Sequence, residues 1–361
     1  MKEDKFKVVS LFSGCGGLDL GFLGDFEFLG KKYERNNFDI IWANDIYPQA
    51  CETYRHNIGD HIFEGDISEI DVNIIPKNAD VVIGGFPCQD FSVAGKRKGI
   101  TVKRGRLYLE MKRVIEHVAP KIFVAENVEG LVNMENGLIL ETIKNDFRNI
   151  NCGQGNYYYN VTHYLLNAAD YGVPQTRKRV FIVGVRSDLN IHYTPPKPTH
   201  NPDNWVTAKQ AIDDLWGKED DPAIFNHSQV SRAKFYPGKK LQGNNQIKAD
   251  APSVTIRAEH HGNIEAHYRT LNPAEPDNPQ YWRRLTVREC ARIQSFPDDF
   301  EFKGSATHTY RQVGNAVPPV LGWHIAKSVE KALMGVNVST TIDNISTTID
   351  NERYEQLELP I

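Results

Sequence analysis

The chain has 361 residues, with 42 Lys and Arg against 46 Asp and Glu, for a formal net charge of −4. That length allows one large or two smaller domains around a sizeable core. The charge excludes nucleic-acid recognition by bulk electrostatics, so any such surface must be local. No apolar run is long enough to span a membrane, and Met1 to Lys5 lacks the apolar core of a signal peptide. The five cysteines (Cys15, Cys51, Cys88, Cys152, Cys290) show neither metal-site nor C-x-x-C spacing. A reduced, cytosolic protein without a metal is expected.

Lys7 to Phe12 reads as a strand running into Ser13-Gly14-Cys15-Gly16-Gly17-Leu18-Asp19, with a helix beginning over Leu18 to Phe22. Strand, glycine turn and helix make a nucleotide-type loop; a nicotinamide site or a plain tight turn are the alternatives. Asp19 stands where the dinucleotide fingerprint has its third glycine. A ligand with no pyrophosphate therefore fits better, and S-adenosylmethionine is such a ligand. Ile40 to Ala43 is a second strand ending at Asn44-Asp45, where an acid suits ribose hydroxyls or simply caps the strand end. Asp66, in Glu64-Gly65-Asp66-Ile67, suits an adenine amino group.

Asp80 to Ile83 reads as a buried strand end running into Gly84-Gly85-Phe86-Pro87-Cys88-Gln89-Asp90-Phe91-Ser92. Such an exit presents the Cys88 thiol at the rim of a sheet, where α/β crevices bind ligands. A lone cysteine taken by itself is more often a small buried hydrophobe. Lys96 to Arg106 carries six basic and no acidic residues. A mobile loop closing on phosphates is the sharper reading of it, a solvated face the plainer one. Leu107, Met111, Val114, Ile115 and Val118 keep helical spacing until Pro120. Ile122 to Ala125 is the next strand, with Glu126-Asn127-Val128 at its end, and residues 136–149 form another helix. Asn160 to Asn167 and Lys178 to Val185 are strands flanking a turn at Tyr171-Gly172-Val173-Pro174 and the run Gln175-Thr176-Arg177-Lys178-Arg179. Apolar strands alternating with amphipathic helices predict an α/β fold with a doubly wound, mainly parallel sheet.

From Arg186 the texture changes. Pro195-Pro196-Lys197-Pro198 reads as a linker, and the region to Arg283 as a smaller, irregular domain of loops and short strands. Between Asn226 and Thr270 seven basic residues face three acidic ones, and Gln242, Asn244, Asn245, Gln246 and Arg257 are side chains of the kind that read base edges. Alone, this region reads equally as a polar domain of no special role. Arg284 to Pro297 resumes helical patterning, with Thr286 and Glu289 spaced as a capping box. Tyr310 to Pro319 reads as a loop before a last helix over Val320 to Met334. Residues 336–361, with the near-repeat Ser339–Ile345, read as a disordered tail.

A strand-end thiol, a strand-end Glu and an Arg beside a methyl donor suit one difficult alkylation. Carbon 5 of cytosine is a poor nucleophile until a thiolate adds at carbon 6. A protonated Glu meets the charge growing at N3, and an Arg holds O2. Duplex stacking covers the target ring, so the base must be flipped out.

These motifs, in this order, resemble the C5-type DNA cytosine methyltransferase family, in its bacterial restriction-modification form, over most of residues 7 to 335. The resemblance implies the S-adenosylmethionine-dependent methyltransferase fold, with 1–185 and 284–335 as catalytic domain and 186–283 as target-recognition domain. It implies cofactor contacts from Phe12, Ser13, Gly14, Cys15, Gly16, Gly17 and Leu18, from Asp45, Ile46, Asp66 and Ile67, and from Pro87, Leu107, Asn315 and Ala316. Cys88 is the implied nucleophile, Glu126 the N3 contact and Arg179 the O2 contact, with Arg177 supporting it. The Thr255-Ile256 pair resembles one found in the family's recognition domain. Gln89, Ser92, Lys96, Arg97, Gln242, Asn244, Thr255 and Arg257 are the DNA contacts expected. Ile46 departs from the family pattern, where an aromatic residue is common. Duplex DNA is the expected partner, a restriction endonuclease the expected genetic one, and the chain is expected to be a monomer in the bacterial cytosol. Two other readings stay open: a tRNA-methylating relative, and a catalytically silent DNA-binding protein. The polar domain speaks against the first, and the intact Cys88, Glu126 and Arg179 against the second.

Overall fold

The computed structural model describes residues 5–87, 107–150, 157–231, 245–258, 267–270, 274–275 and 278–335. Strand β1 (Phe6–Leu11) feeds the glycine turn and helix α1 (Gly17–Leu23). A hairpin, β2 (Phe26–Phe28) and β3 (Lys31–Tyr33), precedes β4 (Phe38–Asp45), α2 (Pro48–Asn57) and β5 (Ile62–Glu64). The chain then runs through β6 (Val81–Gly85), α3 (Leu107–Val118), β7 (Ile122–Val128), α4 (Leu138–Arg148), β8 (Tyr159–Asn167), β9 (Gln175–Thr176) and β10 (Lys178–Arg186). The polar region supplies α5 (Ala208–Ile212), β11 (Asn245–Gln246), β12 (Ser253–Val254), β13 (His267–Thr270) and β14 (Trp282–Arg284). Helices α6 (Val287–Ile293), α7 (Ala306–Asn315) and α8 (Pro319–Leu333) follow.

Seven strands form the central sheet in the order β5-β4-β1-β6-β7-β10-β8. From β5 to β7 neighbours are parallel, whereas β10 runs antiparallel to both β7 and β8. The sheet is therefore mainly parallel, as the strand–helix alternation predicts, with an antiparallel edge. After β1 the chain builds outward to β4 and β5, then returns to place β6 on the other side of β1. That reversal opens a crevice at the carboxyl ends of β1, β4 and β6, the usual ligand position in such sheets.

Each face of the sheet carries an apolar layer. One gathers Leu18 and Phe22 of α1 with Val320, Leu321, Ile325 and Val329 of α8. The other gathers Met111, Val114 and Ile115 of α3 with Ile143 and Phe147 of α4. Helices α1 and α8 cross so closely that a Cβ on Gly21 would lie 2.6 Å from the Gly322 carbonyl carbon. A third cluster joins Ala208, Ala211 and Ile212 of α5, together with Ile256, to Val287, Ile293 and Phe296, and Cys15 of the glycine turn packs into it. The polar region is thus anchored on α6 and α7. Thr286 and Glu289 do form a reciprocal capping box at the start of α6.

One expectation changes. Tyr310 to Asn315 is not a loop but the last part of α7, with Tyr310, Gln312, Val313 and Gly314 buried. Gly314 reads locally as a breaker, yet its missing side chain admits the Arg257 backbone against the helix. The proline-rich stretch after β10 has neither helix nor strand and is tied back to the residues before β9. The Tyr171 hydroxyl donates to the Pro196 carbonyl at 2.9 Å, and the Thr199 and His200 N–H groups donate to the Asp170 carbonyl, both at 2.9 Å. The basic run 96–106 and the tail 336–361 lie outside the described residues.

Candidate active site

The glycine turn holds its shape through backbone angles that few side chains tolerate. Phe12, Gly14 and Gly16 all have positive φ (53°, 55° and 91°). A Cβ on Gly14 would meet no heavy atom within 4 Å, so the turn leaves open space there. A Cβ on Gly16 would instead run into Ile58 and Tyr54, and one on Gly17 would lie 3.1 Å from the Ala316 Cβ. The sequence-distant Ala316 therefore packs on the turn, and Asn315 beside it is exposed at the end of α7.

Two acids close the crevice. Asp45 ends β4 and accepts N–H bonds from Gly14 to Oδ2 and from Tyr47 to Oδ1, each at 2.8 Å. Burial pushes its carboxyl up, while these N–H bonds and Arg311 hold it down. The Asn44 side chain donates to the carbonyls of Phe63 and Gly65, which ties the Asp66 turn to the end of β4. Asp66 itself accepts from the Ser68 N–H and hydroxyl at 2.9 and 2.8 Å. Ile46, 63% exposed, offers an apolar surface next to Asp45.

Not every expected contact turns its side chain to the crevice. Cys15, Leu18 and Ile67 are buried in the apolar clusters. They can reach a ligand only through the backbone. Leu107 opens α3 and packs partly against the core, and Pro87 is exposed.

Beneath the turn lies a carboxylate that sequence reading took only as a missing glycine. Asp19, fully buried, accepts from the Ser10 hydroxyl at 3.0 Å and the Tyr54 hydroxyl at 2.9 Å. Ser13 of the turn donates in turn to Ser10 at 2.8 Å. Burial raises the Asp19 carboxyl to about 6.

The second half of the site sits at the ends of β6, β7 and β10. Gly85 is required by the Glu126 carboxylate, which a Cβ would approach to 2.9 Å, and Gly84 by the Leu11 carbonyl at 2.8 Å. Antiparallel register sets Phe181 opposite Glu126 and Arg179 opposite Val128. Arg179 Nε meets Glu126 Oε1 at 2.9 Å, and both side chains are only 11% exposed. Burial raises the Glu126 carboxyl, with Arg179 and then Arg177 pulling against it. Asn127 donates to the Phe86 carbonyl at 2.8 Å, which pins the exit of β6 to the end of β7. Cys88, Gln89, Ser92, Lys96 and Arg97 follow that exit in sequence and lie outside the described residues.

Arg177 differs from its neighbour two residues on. It is buried, and its guanidinium donates to the carbonyls of Ile256, Gly314 and Ala316 at 2.8, 2.8 and 3.0 Å. It joins the sheet to the Ile256 segment and to the end of α7. Gln175 adds a bond from the Ile256 N–H to its Oε1 at 2.9 Å. Thr255 donates its hydroxyl to the Thr176 carbonyl at 3.0 Å, and Arg257 is exposed two residues on. Gln242 and Asn244 lie outside the described residues.

The structure thus sets a buried Glu126–Arg179 pair at strand ends beside the exit of β6, and a glycine turn with Asp45 at the ends of β1 and β4. The description C-5 cytosine-specific DNA methylase fits residues 6–331. The chain belongs to that family. It is 40% identical to a type II methyltransferase of Neisseria gonorrhoeae, M.NgoFVII, over 91% of this chain and 87% of the relative. It is 37% identical to M.BspRI of Lysinibacillus sphaericus, over 91% and 82%. Among solved structures, a DNA modification methyltransferase of an Escherichia coli prophage superposes with a TM-score of 0.64 at 24% identity, over 91% of this chain and 100% of that one. The S. pombe Dnmt2 methyltransferase does so at 0.60 and 20%, over 92% and 100%. At such identities these two bear on the fold alone.

As a DNA (cytosine-5) methyltransferase the chain uses S-adenosylmethionine, and the crevice suits it. Asp45 and Asp66 are acceptors that suit hydroxyl and amino donors. The open space over Gly14 admits a ligand. Among the described residues no group of three or more His, Cys, Asp or Glu is placed to hold a metal.

Proposed function

We propose that the enzyme flips a cytosine out of a short duplex site and methylates it through a covalent bond from Cys88 Sγ to carbon 6. The observation that carries this reading is the Glu126–Arg179 pair at 2.9 Å beside Gly85, three residues before Cys88. When the thiolate adds at carbon 6, the electrons of the ring double bond move toward N3. Glu126, whose carboxyl burial keeps proton-rich, delivers a proton there. Arg179 has five N–H donors. Nε serves Glu126 and Nη1 the Lys178 carbonyl, so others remain for O2 of the base. Bound S-adenosylmethionine supplies an electrophilic methyl carbon for carbon 5. Transfer of the carbon 5 proton to a water molecule acting as base then expels the Cys88 thiolate, and the N3 proton returns to Glu126.

Asp45 holds the ribose hydroxyls and Asp66 the adenine amino group, with the Gly14–Gly17 turn, Asn315 and Ala316 around the rest of the cofactor. Ile46 replaces an aromatic surface there. Residues 186–283 read the target sequence, with Thr255 and Arg257 at the junction to the catalytic half. The likeness to named type II methyltransferases supports a role in protecting DNA from a partner endonuclease. No helix among the described residues is long and apolar enough to cross a membrane. We read the chain as a monomer acting on DNA in the cytosol.

Bisulfite sequencing of a plasmid from cells expressing the chain tests this, beside Cys88→Ser. Protected cytosines in one short motif, absent in the variant, are the expected result. Retained protection with Cys88→Ser would remove Cys88 as nucleophile, because a hydroxyl is barely ionised at neutral pH. Methyl transfer to tRNA and not to duplex DNA would overturn the DNA reading.

A further inference from the structure

We propose that Tyr47 and Arg311 form a clip between α2 and α7 that positions the Asp45 carboxylate for the cofactor. This deepens, and rests on, the reading of Asp45 as a ribose ligand.

Tyr47 is the N-cap of α2, with extended backbone angles, and touches Asp45 and α7 at once. Its N–H donates to Asp45 Oδ1 at 2.8 Å. Its hydroxyl bonds the ring nitrogen Nδ1 of His308. Its ring lies under the Arg311 guanidinium, 4.6 Å from the centroid. His308 and Arg311 are three residues apart in α7, so they share one face of that helix. Gly14 N–H holds the other oxygen, Oδ2, at 2.8 Å. Both carboxylate oxygens are therefore aimed, one by the glycine turn and one by a residue that α7 grips in two places. The same helix ends at Asn315 and Ala316, and Ala316 packs on Gly17. The clip thus couples the β4 side of the nucleoside crevice to its α7 side.

The charges around Asp45 explain why the grip includes a cation. Asp19 faces it from α1, Cys51 from α2 and Glu64 from the neighbouring register position of β5, while His308 and Arg311 come from α7. Burial favours a protonated Asp45, and the N–H groups of Tyr47, Gly14 and Ile46 oppose it. Arg311 favours the carboxylate. A carboxylate can accept two ribose hydroxyls, whereas a carboxylic acid must use one oxygen as a donor. A nearby cation favours the charged form of a carboxyl, and on Asp45 that cation is Arg311. Removing it should cost cofactor affinity most where the proton competes, at low pH.

The test is the affinity of the full chain for S-adenosylhomocysteine by calorimetry at pH 6.0 and pH 8.5, without DNA. Arg311→Gln should weaken binding about tenfold at pH 6.0 and clearly less at pH 8.5. Arg311→Lys should stay within about threefold of wild type, because it keeps the charge. Tyr47→Leu, which removes both the ring and the hydroxyl, should lose affinity as Arg311→Gln does. Arg311 is exposed, so its variants should melt as the wild type does. Unchanged affinity in Arg311→Gln at pH 6.0, or the same loss at both pH values, would overturn the clip. Asp45→Asn separates the two levels. If it binds as wild type, the ribose reading of Asp45 fails; if it alone weakens binding, that reading stands and the clip falls.

Discussion

At the residue scale, burial decides which groups can do chemistry. Cys15, Cys51 and Cys290 are buried thiols whose desolvation pushes them up, Cys51 to about 12, so none is a thiolate at neutral pH. Glu126 is pushed the same way, which for an acid means holding a proton longer. Glu126→Gln keeps the shape but has no proton to deliver as charge grows at N3. Its kcat under saturating DNA and cofactor should fall by about 10²-fold or more; a loss under threefold would remove Glu126 from proton transfer. Asp19 makes a different prediction. Its folded-state value, about 6, lies above the ordinary 3.8, so between about pH 4 and 6 the folded chain keeps a proton that the unfolded chain has released. Stability attributable to Asp19 is therefore fully present below that window, falls across it and is level above. Two pKa units correspond to about 3 kcal/mol. The stability difference between wild type and Asp19→Asn, from urea unfolding, should shift against wild type by up to that amount from pH 4 to pH 7. Parallel pH profiles would show that the Asp19 charge has no part in folding.

At the element scale, what could be read locally was largely read. The strands β1, β4, β6, β7, β8 and β10 and the helices α3, α4 and α8 follow apolar periodicity and breaker residues, both properties of neighbours in the chain. The α6 capping box was legible for the same reason, since Thr286 and Glu289 meet within one helical turn. The failure has a physical cause. Gly314 carries a local breaker signal, but a distant partner overrides it. Gly314 is small because the Arg257 backbone presses on α7, and the stretch after Pro196 is held by Asp170 and Tyr171. Arg177 and Arg179 show the limit of a motif. Two residues apart in sequence, one clamps three backbone carbonyls and the other faces Glu126.

At the scale of the whole molecule, the site exists where segments far apart in the chain converge. Arg177 and Gln175 tie the sheet to Ile256. The guanidinium groups of Arg269 and Arg283 each lie 4.4 Å from the Trp216 ring centroid, and both arginines pair with the buried Glu289 of α6. At that junction Gly314 meets the Arg257 backbone, where a Cβ would lie 2.2 Å from the Arg257 carbonyl carbon. Gly314→Ala would force the Arg257 backbone away from α7 and should destabilise by about 1–3 kcal/mol. On the proposal that residues 186–283 read the target, it should also weaken DNA binding more than cofactor binding. A melting temperature and DNA affinity equal to wild type would contradict the close approach. The sequence by itself determined the class of the chain: the order of strands and helices, the glycine turn, the acids after β4 and β5, and the Pro87–Cys88, Glu126 and Arg179 motifs are all carried by short, contiguous stretches. Only the tertiary structure decided that β10 runs antiparallel and so sets Arg179 beside Glu126. It decided too that Asp19 is a buried acid and that α7 reaches back to Tyr47. Pairing across the sheet and loss of solvent depend on residues remote in the chain, and no local pattern encodes them.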